Sequence, residues 1–237
     1  MSTLDPSRVV FLSGAGLSAA SGVPTFRDAD GLWEGHRVEE VATPEAWFAD
    51  PTKVARFYDE RRIAVEGVSP NAGHLALARL QQQWGPDRVV LITQNIDGLL
   101  SEAGASEVIE MHGALRLLRC ENSADHERVA IAGAQAPETV CPHCGGRLRP
   151  DVVWFGEMPY ELDRIGRAVD ECTTFVSVGT SGLVYPAAGL VARARQRGAY
   201  CLEVNPDPSG GRFDRVIHEG SEIALPGLVD GWLRGER

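Results

Sequence analysis

No apolar run in this 237-residue chain approaches the roughly 18 residues that a membrane-crossing helix needs. Its start, MSTLDPS, shows no basic stretch followed by an apolar one. A secretory leader is therefore not expected, and the cytoplasm is the expected compartment. Positive charge is scarce, with 23 Lys and Arg against 33 Asp and Glu, for a net charge of −10. Phosphate backbones need basic surface, so nucleic acid is not expected as a partner. Lysine-rich protein partners remain compatible. Cysteine is sparse as well. Five thiols, an odd number, do not make a disulfide framework, and in a reducing compartment they are thiols or metal ligands. Repeats and low-complexity tracts are absent.

A hydrophobic share of 43% is ordinary for a globular protein. The length suits one large domain, or one with a smaller part inserted. Apolar strand-like runs occupy residues 9–12, 89–93, 108–111, 174–178 and 200–204. Helical patterns lie between several of them, as at 75–83 and 187–197. Buried strands alternating with helices predict an α/β fold with a Rossmann-like parallel sheet. Two stretches break the rhythm. Residues 31–68 read as helical with no strand, and residues 116–150 are polar, rich in turn formers and hold three cysteines. Both read as insertions that form a smaller lobe, one helical and one zinc-knuckle-like. Residues 1–30, 69–115 and 151–237 are left to the Rossmann-like domain.

Four motifs carry chemistry. In VVFLSGAGLSAASGVPTFR a strand runs into Gly14-Ala15-Gly16, after which a helix is expected. Glycines let a backbone approach a pyrophosphate, and a helix N-terminus offers free N–H groups to it. A hydride-transferring dehydrogenase would place an acidic residue at the end of a second strand about 20 residues on. Glu34 is near that distance but sits in GLWEGH, which is no strand. In LITQNIDGLL a buried strand ends in Gln94, Asn95, Ile96 and Asp97, where polar groups line the ligand crevice of an open sheet. In EVIEMHG, His112 ends another strand on that same rim, and histidine moves protons near neutral pH. In CPHCGG, with Cys120 upstream, Cys141 and Cys144 have zinc-knuckle spacing. Residue 123, where a fourth cysteine is expected, is Ser; Asp125, His126, His143 or water is left to complete a site. Cys172 and Cys201 lie in apolar runs and read as core.

One further stretch, FYDERR, reads as mid-helix. Val54, Tyr58, Arg61 and Val65 share its inward stripe, with Phe57 beside it. Arg56 and Arg62 have carboxylates three or four residues away, and Arg61 has none. An anionic group from outside is expected to complete it, with Tyr58 one turn away on the same face.

The motifs GAGLSAASGVPTFR, TQNID, MHG, the cysteine module, VVWFGE and GTSGLVYPAAG stand in the order found in sirtuins, which the chain resembles from about residue 8 to about residue 225. Sirtuins are NAD-dependent protein lysine deacylases. RPDVVWFGE together with FYDERR is similar to the class that removes acidic acyl groups such as succinyl and malonyl. The resemblance implies NAD consumed as co-substrate, with nicotinamide and an O-acyl-ADP-ribose released. It implies phosphate and ribose contacts from Gly14, Ala15, Gly16, Ala19, Thr25, Phe26, Arg27 and Trp33. Gln94, Asn95, Ile96 and Asp97 would shape the nicotinamide pocket, with Asn95 and Asp97 sharing the catalytic work. His112 would be the base that activates a ribose hydroxyl. Gly179, Thr180 and Ser181 would touch phosphate and ribose, Asn205 would hold the adenosine ribose, and Ser221 would join the cofactor site. Tyr58 and Arg61 would grip the acid end of the acyl group. Val153, Trp154, Phe155, Gly156 and Glu157 would pair with a substrate peptide as an added strand opposite Val184 and Tyr185. Cys120, Cys141 and Cys144 would hold a structural zinc. The expected assembly is a monomer acting on acyl-lysine proteins. Three departures stand out: Leu100 and Asp151 occupy places where histidine is usual, and Ser123 stands where a zinc cysteine is usual.

Overall fold

The computed structural model describes residues 4–24, 32–33 and 35–236. Among these, the strands in chain order are β1 (Val9–Ser13), β2 (Leu32–Trp33), β3 (His36–Arg37), β4 (Val89–Thr93), β5 (Val108–Glu110), β6 (Gly113–Cys120), β7 (Val129–Ala130), β8 (Leu148–Val152), β9 (Thr174–Val178), β10 (Tyr200–Val204) and β11 (Arg215–Ile217). The α-helices are α1 (Val38–Val41), α2 (Pro44–Ala49), α3 (Pro51–Val65), α4 (Ala72–Trp84), α5 (Leu99–Glu102), α6 (Leu162–Glu171), α7 (Leu190–Gln196) and α8 (Ser221–Leu233).

Six strands form one parallel sheet in the order β11-β10-β9-β1-β4-β5. Every residue of β1 and of β9 is buried, because helices cover both faces. Alternate residues serve opposite layers. Val9 and Phe11 join Leu77, Leu80, Leu225 and Trp232 of α4 and α8 on one side. Val10 and Leu12 join Ile165, Val169, Leu190 and Ala194 of α6 and α7 on the other. All five expected strands lie in this sheet. The sixth, β11, is a three-residue edge strand with no fully buried residue, so it leaves no apolar run to read. Strand β5 stops at Glu110, which puts Met111 and His112 in a two-residue link to β6.

The second lobe departs from the expectation. Strands β7-β6-β8 form a separate antiparallel sheet, with Cys120 opposite Leu148 and Gly113 opposite Val152. The polar module thus hangs on two ladder strands rather than on turns alone. The stretch read as strandless also holds the short antiparallel pair β2 and β3. Two residues a side are too few for periodicity to register.

Helix α3 starts where its sequence says it should: Pro51 opens it, and Asp50 caps it by accepting from Lys53 N at 2.9 Å. Lys53 Nζ bonds Glu40 Oε2 at 2.7 Å and ties α1 to this first turn. The buried face is Val54, Phe57, Tyr58 and Arg62, so the deepest charge is Arg62 and not Arg61. Arg62 reaches Leu115 O at 2.6 Å, Asp59 Oδ1 at 2.6 Å and Gly133 O at 2.8 Å, stitching α3 to the antiparallel lobe.

Candidate active site

The parallel register aligns the C-terminal ends of β10, β9, β1 and β4, so Asn205, Gly179, Gly14 and Gln94 follow one another along a rim. Gly14 N and Gly16 N donate to Val178 O and Gly179 O, both at 2.9 Å. A Cβ on Gly16 would stand 2.6 Å from Gly179 Cα, and one on Gly14 would stand 2.9 Å from Gly179 O. The glycines therefore let the β1 and β9 loops touch, as well as leaving the crevice open. Among the described residues, no α-helix directly follows them. Two three-residue 3₁₀ turns, Ala15–Leu17 and Ala19–Ser21, stand in its place. Such turns are too short to sum a macrodipole, so an anion here would rely on individual N–H groups. Ala19 is exposed at the second turn. Thr25, Phe26 and Arg27 lie outside the described residues.

A buried polar chain sits behind these turns. Ser18 Oγ donates to Asp97 Oδ2 at 2.7 Å and accepts from Asn95 Nδ2 at 3.0 Å. His74 Nε2 lies 3.2 Å from the same hydroxyl. Asn71 N donates to His74 Nδ1 at 3.2 Å, so the ring proton sits on Nε2 and faces Ser18. Burial pushes His74 down to about 4 and Asp97 above the usual carboxylate range; in Asp97 the bonds from Ser18 and Leu99 N oppose the rise. Sequence reading named Asn95 and Asp97 and missed Ser18 and His74. The available signal was Asn71-x-x-His74, a capping box that opens α4.

His112 Nδ1 donates to Gln94 O at 3.1 Å, which leaves the lone pair on Nε2. Burial lowers its pKa against the pull of that carbonyl. The link that carries it is pinned on both sides: Val153 N bonds His112 O and Tyr160 N bonds Met111 O, each at 2.9 Å. Ile96 O accepts from Leu115 N at 2.9 Å. On the adenosine side, Asn205 Nδ2 bonds Thr180 O at 2.9 Å, Ser181 Oγ accepts from Leu183 N at 3.3 Å, and Ser221 Oγ bonds Gly16 O at 3.3 Å. This polar rim, open at its glycines and carrying one half-buried carboxylate and one neutral imidazole, fits a dinucleotide with an amide head.

Tyr58 is fully buried and accepts from Trp154 Nε1 at 3.0 Å. Trp33 meets it edge-on at 6.0 Å. Burial pushes Tyr58's pKa upward, so the hydroxyl keeps its proton. Arg61 is not bare as its spacing suggested. Its guanidinium lies 3.4 Å from the Phe57 ring centroid, and Nη1 reaches Phe57 O at 2.7 Å and Glu60 Oε2 at 3.4 Å. The helical-spacing rule looks three and four residues away and overlooks an adjacent carboxylate that curls back.

The VVWFGE stretch also differs from its expectation. Trp154 is an interior residue, and Glu157 is spent on Arg149 and Arg119. The N–H groups of Val153, Trp154, Phe155 and Glu157 already bond His112 O, Glu157 Oε2, Ala42 O and Trp154 O. Opposite, Tyr185 is 80% exposed, and Val184 O accepts from Ala188 N.

In the antiparallel lobe, Cys120, His126, Cys141 and Cys144 bring four donor atoms within 4.8 Å of one another. Sγ of Cys120 and Cys144 are 3.6 Å apart, and Cys141 Sγ is 3.4 Å from His126 Nδ1. Three thiols and one imidazole are a fitting set for a structural zinc, with His126 as the fourth ligand. Ser123 instead closes a turn by accepting from Asp125 N. The other two departures are also accommodated. Leu100 joins the sheet core, and Asp151 accepts from Tyr160 Oη at 2.6 Å and pairs with Arg128 at 3.5 Å. Cys172 and Cys201 are buried, as expected.

A Sir2 family model matches residues 14–186. The chain is 47% identical over 237 residues to the NAD-dependent protein deacylase SIR2rp3 of Trypanosoma brucei brucei, covering 96% of each chain. It is 46% identical over 238 residues to an NAD-dependent protein deacylase of Escherichia coli, covering 98% of this chain and 84% of that one. Among solved structures, an ADP-ribose complex of a Sir2 homologue superposes with a TM-score of 0.88 at 38% identity, covering 96% of this chain and 92% of that one. An NAD complex of a Sir2 homologue superposes with a TM-score of 0.87 at 37% identity, covering 99% and 96%. On these likenesses, this chain belongs to the Sir2 family.

Proposed function

We propose that the chain is an NAD-dependent protein lysine deacylase that favours acidic acyl groups, succinyl and malonyl, and also accepts acetyl. The observation that carries the reading is His112, a neutral imidazole whose bare Nε2 shares a rim with Gln94, Asn95 and Asp97. NAD supplies the ribose that receives the acyl group and the nicotinamide that leaves. Asn95 and Asp97 would hold the carboxamide, Asp97 as an acceptor kept in place by Ser18. His112 Nε2 would take the proton of a ribose hydroxyl and so make that oxygen a nucleophile toward the acyl carbon. The acyl oxygen would replace nicotinamide on the ribose carbon and one water would release the lysine, so free lysine, nicotinamide and an O-acyl-ADP-ribose would result. A substrate peptide laid beside residues 153–157 and Val184-Tyr185 would be held through carbonyl groups, since four N–H groups of the first segment are engaged. Zinc at Cys120, His126, Cys141 and Cys144 would hold the antiparallel lobe together, remote from the reaction. The division into a Rossmann-like domain with two insertions, a monomeric state and a cytoplasmic site of action belong to the same reading.

Acid preference rests on Tyr58 and Arg61, one helical turn apart, the first fully buried and the second mostly so. Hydrogen bonds to a charged group contribute about 1.5–3 kcal/mol. Succinyl should therefore be favoured over acetyl by roughly 10- to 150-fold in kcat/KM. The test follows nicotinamide release, absorbance at 340 nm and peptide mass for wild type and Arg61→Met. Deacylation without hydride transfer, and loss of most of the succinyl preference in the variant, are expected. A variant that lowers succinyl and acetyl turnover by the same factor would make Arg61 structural.

A further inference from the structure

Among the described residues, the Tyr58 hydroxyl makes one hydrogen bond, the one it accepts from Trp154 Nε1. An indole N–H can only donate. The phenol oxygen must accept there, and its proton is left to point elsewhere.

Trp154 is in turn held against rotation. The Arg149 guanidinium lies 3.4 Å from its ring centroid. Arg149 is fixed by Glu157 through two contacts of 2.8 Å and by Val152 O at 3.0 Å. Glu157 Oε2 also accepts from Trp154 N at 2.9 Å, and Arg119 backs Glu157 at 2.9 Å. The Trp47 ring closes in at 5.7 Å.

We propose that Trp154 is a positioning residue for acyl selection: its buried N–H commits the Tyr58 hydroxyl to donate, so the site favours an acyl chain ending in an acceptor over one ending in a methyl group. The inference rests on the acyl reading above and adds a residue that acts only through Tyr58. With the indole N–H gone, the hydroxyl is free to turn its proton away, and part of the selectivity supplied by its bond to the carboxylate is lost, about 3- to 10-fold.

Succinyl- and butyryl-lysine peptides have acyl chains of equal length and differ at the tip, carboxylate against methyl. The experiment measures kcat and KM on both for wild type, Trp154→Phe, Tyr58→Phe and the double variant. Trp154→Phe should lower the succinyl-to-butyryl ratio of kcat/KM by about 3- to 10-fold, through KM. In the Tyr58→Phe background the same change should move the ratio less than about twofold, because the hydroxyl it acts on is gone. A Trp154→Phe enzyme that weakens both peptides equally overturns the inference. So does a ratio change that persists in full without the Tyr58 hydroxyl. If Trp154→Phe does not fold, benzothienylalanine at 154 keeps the ring shape, replaces N–H with sulfur and carries the same expectations. Arg61→Met separates the two layers: a ratio that collapses there but not with Trp154 removes only Trp154, whereas a wild type with no succinyl preference removes the acyl reading and this inference together.

Discussion

An imidazole that takes a proton must be neutral and have one nitrogen bare. His112 meets both conditions, through burial and through its bond to Gln94 O. Its lowered pKa places the acidic limb of kcat/KM below the ordinary imidazole value of about 6.5; a limb above pH 7 would contradict this. His112→Ala should lower turnover by about 10²- to 10⁴-fold while calorimetry still shows NAD binding. His74 makes a second prediction, on stability. Below about pH 6.5 the unfolded chain binds a proton that the folded ring resists until about pH 4, so stability drains away as pH falls through that window. The loss is on the order of 3 kcal/mol. Asp97, pushed upward, works in the opposite sense as it gains a proton. Urea midpoints at pH 7 and 4.5 should show a smaller acid loss in His74→Gln than in wild type, and equal losses would place the ring in water. His112 could be found from sequence because a single strand end puts it on the rim. Ser18 and His74 could not, since they meet across 56 positions of chain.

At the scale of elements, strand β6 joins the reaction rim to the metal-type cluster, with His112 just before it and Cys120 at its far end. Gly113 opens the strand at φ +80°, where a Cβ would stand 2.0 Å from Asp151 O. Gly113→Ala should cost more than about 2 kcal/mol and melt well below wild type, as backbone strain and a backbone collision combine. Gly67, at φ +81° with nothing near, is the control, and Ala there should cost only about 1 kcal/mol. The far end makes its own prediction. Protein purified without chelator should carry about one zinc per chain, and His126→Ala should bind it more weakly in a chelator competition. The central strands could be read because helices bury both faces and leave runs such as VVFLS. Strands β6 and β8 could not, because their ladder carries Arg116, Arg119, Arg149 and Asp151; Arg116 is exposed and pairs with Glu110, and the burial of the other three is made tolerable by Glu157 and Tyr160. Charge that is paired only in three dimensions reads as loop in one.

For the whole molecule, a ligand seated where the β1 and β9 loops meet couples occupancy to global stability. NAD at 100 times its Kd should stabilise by about 2.7 kcal/mol, or roughly 5–10 °C in melting temperature for a chain of this size. Gly16→Ala should show a much smaller shift whatever its own melting point, since its loops have been pushed apart. The ion pair between Glu40 and Lys53 has a different consequence. Lys53 is the single lysine in the sequence; arginine supplies every other basic side chain. A catalyst of lysine deacylation so composed is almost invisible to an antibody against acyl-lysine, so signal in a reaction mixture belongs to the substrate. The same scarcity makes Lys53 the one side chain that an amine-reactive dye can reach. The dye would sit in the first turn of the helix that carries Tyr58 and Arg61, a fluorescent reporter placed by composition alone.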